Sequence, residues 1–185
     1  MKLVLDQWHT VFEEKLSTAA SVKIISPSCS MFTMEILAKY NLLEKSEFIT
    51  RFSLYDFFVK LSDLKALRLA VENGMRIFGV KHLHCKAYIF NDKEAIISSS
   101  NFTWGGMFRN HECGILFNNT EEINELLDYF SLLKNGAAPA LSLTDCDKWE
   151  QELSFYKADI LTPYMMPDYS KEVPVPMNES STETN

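Results

Sequence analysis

Val4, Leu5, Trp8, Val11, Phe12 and Leu16 recur at three- and four-residue intervals, which predicts an amphipathic helix opening the chain. The pattern then changes period. Val22-Lys23-Ile24-Ile25-Ser26 before Pro27 predicts a short strand running into a loop. Residues 31–43 predict a second helix, and Phe48 to Phe52 an extended segment. Leu64, Leu67 and Val71 line one face of a third helix, with Ser62 as its expected cap and Gly74 as its expected end. Met75 to Val80 predicts a buried strand.

Further along, Lys86 to Phe90 and Ala95 to Ser98 predict two strands joined by the turn formers Asn91-Asp92-Lys93-Glu94. Glu112 to Phe117 predicts a third. Asn119 with Glu122 reads as a capping box before Ile123, Leu126, Leu127 and Phe130, and Lys134-Asn135-Gly136 closes that helix. Trp149 to Tyr156 predicts a last helix. The alternation implies an α/β fold, one central sheet with helices on its faces. From residue 162 the period stops and prolines accumulate, so a catalytic domain is expected over 1–161 and a flexible acidic tail over 162–185.

With 185 residues, of which 46% are hydrophobic, the chain has material for one core and is short for two domains. No apolar run reaches the roughly eighteen residues a spanning helix needs, and the charged start argues against a signal peptide. Four cysteines without a CxxC suit reduced thiols in a cytoplasm. The net charge of −7 argues against a long-range attraction for nucleic acid. Residues 162–185 carry −3 of it, however, which leaves the expected domain mildly acidic.

The densest chemistry lies between His82 and Glu112. On a strand, His84 and Lys86 share a face and Cys85 takes the other. A histidine beside a fixed cation suits work on an anion, the cation neutralising charge while a ring nitrogen attacks or moves a proton. Ser98-Ser99-Ser100-Asn101 ends an apolar strand with donors suited to non-bridging oxygens. Glu112 opens the next strand, where a carboxylate could fix an imidazole tautomer. His82, His84, Cys85, His111 and Cys113 invite a zinc site, but alternate residues diverge across a strand and no metal is expected. Cys113, Ile115 and Phe117 are expected to face the core, with Cys85 and Cys113 as small buried residues. Arg51, Arg109 and Lys23 are candidate phosphate contacts or ordinary surface charges, and His82 a rim or loop histidine. Trp104 and Phe108 either stack on a base or pack the loop.

His84-x-Lys86, Ser99-x-Asn101 and Glu112, spaced by seventeen and eleven residues, resemble the HxK…GSxN…E signature of the phospholipase D superfamily. The flanks around Arg51, Asp63 to Gly74, Phe102-Thr103 and Gly105-Gly106 resemble the phospholipase D-like nucleases of restriction and defence systems. Two positions depart: Asn91 stands where the family has Asp, and Ser98 where it has Gly.

The resemblance implies a phospholipase D-like mixed sheet flanked by helices, with one motif copy per chain. It implies metal-independent phosphodiester hydrolysis without a cofactor: His84 as nucleophile, Lys86 and Asn101 binding oxygens, Ser99 assisting, and Glu112 orienting an imidazole. One motif copy further implies a homodimer sharing one active site. The expected substrate is DNA, with Arg51, Trp104 and Arg109 as contacts. No DNA-reading motif stands out, so the expectation is either nonspecific cleavage or reliance on a target-recognition or defence partner protein or a further domain, and no membrane-surface helix points to a membrane. A lipid phosphodiesterase and a catalytically weak binding module are the alternatives.

Overall fold

The structure is a computed structural model that describes residues 1–5, 8–156 and 166–173. It is an α/β fold around one seven-stranded mixed sheet. The strands are β1 (Lys2–Leu5), β2 (Val22–Ile25), β3 (Ser46–Thr50), β4 (Arg76–Gly79), β5 (Ala87–Phe90), β6 (Glu94–Ser98) and β7 (Cys113–Phe117). They run in the order β1-β7-β6-β5-β2-β3-β4. β2, β3 and β4 are parallel, and every other pairing is antiparallel.

Helices cover the two faces unequally. α1 (Trp8–Thr18), α2 (Met31–Lys39), α3 (Leu54–Phe58), α4 (Leu64–Glu72) and α6 (Leu143–Ser154) share one core with Ile24, Phe48, Ile77, Tyr88, Phe90 and Ile96 of the sheet. α5 (Thr120–Gly136) stands on the other face. Its Ile123, Leu126, Phe130 and Leu133 pack on Ile25, Ile49, Phe78, Ile89 and Ala95. Adjacent residues such as Tyr88 and Ile89 therefore enter different cores, which is why β5 reads as an uninterrupted apolar run.

Three expectations need correction. The opening helix begins at Trp8; Lys2–Leu5 is a strand, antiparallel to β7, with Val4 buried between exposed Leu3 and Leu5. Leu5 fitted the helical period by coincidence, since four residues also satisfy the period of two. The cap of α4 is Asp63, whose carboxylate accepts from the Lys65 N–H, while the Ser62 hydroxyl accepts from the Cys29 N–H. Cys113 and Ile115 do not enter a core: Cys113 is exposed and Ile115 is 38% exposed, because α5 does not reach over that part of the sheet and no other described helix does. Cys85 is half-buried.

Residues 166–173, within the expected tail, are packed on the domain. Asp168 and Lys171 form bridges with Ser53 and Val80, Met166 is buried, and Tyr169 stacks on Trp149 at 5.2 Å. Both the expected boundary at 161 and the rest of that tail lie outside the described residues.

Candidate active site

The carboxyl ends of the parallel strands β2 to β4 open onto the same edge as the start of β5, the end of β6 and the start of β7. Ile25 pairs with Ala87, Ala87 with Ile97, and Ser98 with Gly114. Open α/β sheets place ligands at such an edge.

Lys86 enters from the start of β5. Its Nζ donates to the His84 carbonyl at 2.8 Å and lies 3.1 Å from the ring Nε2. The lysine side chain is buried and the imidazole beside it is exposed. Burial lowers the Lys86 pKa, and the Arg51 cation pushes the same way, against the raising influence of Cys85 and Glu112. The ammonium is thus held in an environment that an anionic ligand would relieve.

Ser99 follows β6, and its backbone N–H bonds the Cys113 carbonyl at 2.9 Å. Its hydroxyl donates to Glu112 Oε2 and accepts the Cys113 N–H at 3.1 Å. Asn110 Nδ2 donates to Glu112 Oε1 at 3.2 Å. Both carboxylate oxygens of Glu112 are therefore occupied by neutral donors. Within the chain these bonds fix the loop between β6 and β7, and each oxygen keeps a further lone pair for the imidazole expected there. Asn110, with no role expected from the sequence, joins the site through its spacing of two from Glu112.

Asn101 Oδ1 is buried without a hydrogen-bond partner. Such an atom carries a desolvation cost of about 1–3 kcal/mol, and native structures rarely leave one without reason. Asn101 lines a cleft of about 410 Å³ with Ser28, Lys60, Thr103, Arg109 and Asn110. The loop above it is held close by Gly106, where a Cβ would stand 2.3 Å from the Asn101 carbonyl oxygen. Ser98 accepts the Ser100 N–H at 2.7 Å, so the side chain replacing the family's glycine braces the loop.

Arg51 sits at the end of β3 and pairs with Asp56 at 2.8 Å, where its Nε is buried without a bond. Burial raises the Asp56 pKa despite the lowering influence of that arginine. Arg51, Lys81, His82, Tyr55 and Asp168 line a second cleft of about 510 Å³. Trp104 is half-exposed and stacks on Phe108, which stacks in turn on His9 at 4.5 Å. Trp104 caps and Phe108 belongs to the π-helix Gly105–Arg109. Arg109 is exposed and His82 adopts a left-handed backbone at φ 58°. Lys23 and Asn91 lie at the opposite end of the sheet.

The sequence profile of the family described as "Cardiolipin synthase, PLD-like domain" matches residues 8–134. The chain belongs to the phospholipase D superfamily. No curated protein matches it by sequence. Among solved structures it is similar to the phospholipase D family member Nuc from Salmonella typhimurium, at 12% identity over 70% of this chain and 91% of that one, with a TM-score of 0.57. It is also similar to the phosphatidylserine synthase of Haemophilus influenzae, at 13% identity over 82% of this chain and 43% of that one, with a TM-score of 0.57. The polyphosphate kinase of Porphyromonas gingivalis gives 11% identity over 76% and 23%, with a TM-score of 0.53. At these identities the superfamily fold is what is shared. Among the described residues, no helix is long and apolar enough to cross a membrane.

Proposed function

We propose that this phospholipase D-like chain is a cytoplasmic, metal-independent phosphodiesterase, an endonuclease that cleaves DNA in a restriction or phage-defence setting. The observation that carries the reading is the Lys86–His84 pair, whose lysine carbonyl bonds the Ser98 N–H at 3.1 Å at the start of the segment leading to Asn101. A phosphate reaching the imidazole also meets the desolvated ammonium, and the Nδ2 end of the Asn101 amide is the group that donates to it. A ring nitrogen of His84 attacks phosphorus, the bond to the leaving oxygen breaks, and a second imidazolium gives that oxygen its proton. Water then attacks the phosphohistidine and returns a proton to the second imidazole, which frees His84. Lys86 and Asn101 hold the non-bridging oxygens as charge grows, and Ser99 with Asn110 keeps Glu112 and its loop in place.

The second imidazole is supplied by His84 of another copy, in a homodimer that shares one site. DNA is favoured over lipid by the Trp104–Phe108 platform beside Arg109 and the cleft, since base stacking on an aromatic is worth about 1–3 kcal/mol. Lipid hydrolysis is the second reading, and the matched family description supports it. A partner protein that recognises the target would offset the weak long-range attraction of an acidic chain.

The test is nicking of plasmid DNA in EDTA, with loss on His84→Ala. Turnover of phospholipid vesicles alone would replace the nuclease with the lipase, and no turnover of either would leave a binding module. Mixed refolding of wild type with His84→Ala measures the sharing. Activity that falls as the square of the wild-type fraction requires both histidines in one site; a linear fall refutes it.

A further inference from the structure

Two clefts open on the edge that carries the candidate site, and their charge balance differs. The cleft at Arg51 and Lys81 is also walled by Asp56 and Asp168, and Arg51 is paired with Asp56 at 2.8 Å. The cleft of about 410 Å³ at Asn101 sets Lys60 and Arg109 against one carboxylate, that of Asp63. One oxygen of Asp63 caps α4 by accepting the Lys65 N–H at 2.9 Å. Among the described residues, neither Lys60 nor Arg109 forms an ion pair. Cys29 on the same wall adds no charge, because burial pushes its thiol up to about 12.

Hydroxyl donors converge on this second cleft. Ser28 is 4% exposed, and its hydroxyl has no hydrogen-bond partner among the described residues. Ser30 Oγ accepts the Trp104 N–H at 3.0 Å, and Thr103 Oγ1 accepts the Gly106 N–H at 3.2 Å. Each of those two hydroxyls keeps its own O–H to donate. Three such donors beside two unpaired cations suit an anion with several acceptor oxygens.

The backbone favours the same reading. α3 ends at Phe58, and Lys60 follows in the left-handed region at φ 63°. Glycine is the usual residue at such a helix exit. A lysine there holds backbone strain at the position that brings a cation to the cleft.

The walls say what carries the anion. Asn101, assigned above to the oxygens of the scissile phosphate, is one of them, and Asn110, which bonds Glu112, is another. No wall residue is aromatic, so the cleft gives a base nothing to stack on. Trp104, half-exposed and next to Thr103, provides that surface just outside it.

We propose that this cleft binds the phosphate next to the scissile one in a polynucleotide. Lys60 and Arg109 neutralise it, and Ser28, Ser30 and Thr103 donate to its oxygens. This rests on the nuclease reading and narrows its substrate to strands with at least two consecutive phosphodiesters.

Thymidine trinucleotide and its two isomers with one linkage replaced by an uncharged methylphosphonate test it on the full chain. Each isomer keeps one cleavable linkage and lacks a charged neighbour to it. Both should be cut with kcat/KM about tenfold or more below the unmodified trinucleotide. In Lys60→Asn that gap should shrink toward about twofold, the statistical factor for a second cleavable linkage. Asparagine tolerates the left-handed backbone, so the variant folds, with circular dichroism as the control. Binding of the unmodified trinucleotide to His84→Ala should lose about 0.7 from its log–log salt slope when Lys60→Asn is added, as for one phosphate contact on a single strand.

Isomers within about twofold of the parent in the wild type overturn the subsite and leave the nuclease standing. A full gap and an unchanged salt slope in both Lys60→Asn and Arg109→Gln overturn this cleft as its place. No turnover of any trinucleotide, with the charge preference and slope change retained in binding, overturns the nuclease and keeps the cleft. Loss of turnover and of that preference overturns both. Turnover confined to vesicles of a lipid with two phosphates overturns the polynucleotide as the source of the second phosphate.

Discussion

The two ends of the β5–β6 hairpin treat polar groups in opposite ways. At the turn, Asn91 Oδ1 accepts the Ala20 N–H at 2.6 Å and the Ser21 N–H at 3.3 Å. Lys23 pairs with Asp92 at 2.5 Å, and Lys15 with Glu94 at 3.0 Å. At the other end Asn101 Oδ1, Thr50 Oγ1 and Arg51 Nε are buried without partners, and Lys86 is desolvated. One end satisfies its polar atoms internally; the other leaves several of them without a partner. Sequence-level consistency breaks where function is expected to reside, so activity and stability should separate along this hairpin.

The sharpest break is His84→Ala. The imidazole is exposed and braces nothing in the core, so the melting temperature should stay within about 1 °C while phosphodiester turnover falls by about 10³-fold or more. Thermal unfolding and plasmid nicking on the same preparation measure both.

Lys86→Met comes next, with turnover down about 10²–10³-fold. A lysine whose pKa lies below its ordinary 10.5 loses its charge earlier as pH rises. The alkaline limb of kcat/KM should therefore enter below the ordinary lysine range, and Lys86→Arg should remove that limb. Stability has the opposite sign. The unfolded chain binds the proton more tightly, so the fold gains stability as pH rises from the lowered value toward 10.5. Lys86→Met should abolish that gain and be no less stable than wild type at neutral pH. A loss of stability there would refute the contrast between the ends.

The same contrast explains what the sequence made legible. Strands β2 to β7 follow from period and spacing, which depend on local alternation, and the candidate site residues from their types and the family's motif. Whether a face is covered depends on where a distant helix lands. Cys113 and Ile115 therefore looked like core residues until α5 proved to stop short of them. Val4 and Leu5 misled for a related reason: four residues fit either period, and pairing with β7 decides between them. The docking of Asp168 and Lys171 on Ser53 and Val80 left no periodic signal, since single backbone bridges read the chain without regard to side chains.

At the turn, effects should reverse. Asn91 holds a left-handed backbone at φ 56° and satisfies two N–H groups, so Asn91→Ala should cost about 1–3 kcal/mol with kcat/KM unchanged in the folded fraction. Asn91→Asp restores the family's residue and keeps the acceptor. It gives up only the long donation to the Thr18 carbonyl at 3.5 Å, so it should recover most of that loss. Denaturant unfolding of the pair separates the hydrogen bonds from the backbone conformation.

The smallest effect belongs to Asp92→Asn. Asp92 also sits left-handed, at φ 55°, and asparagine tolerates that conformation equally well, so the substitution removes a charge and little else. Its partner Lys23 is 22% exposed and Asp92 is 46% exposed, which places the pair in largely solvated surroundings. Such pairs contribute about 0–1 kcal/mol. The difference in unfolding free energy should be of that size at low salt and vanish near 1 M, where charges are screened over about 3 Å. Nicking activity should not change at either salt concentration relative to wild type. A drop in turnover would mean that the family's acidic position, displaced here by one residue, still reaches across the length of the hairpin to the site.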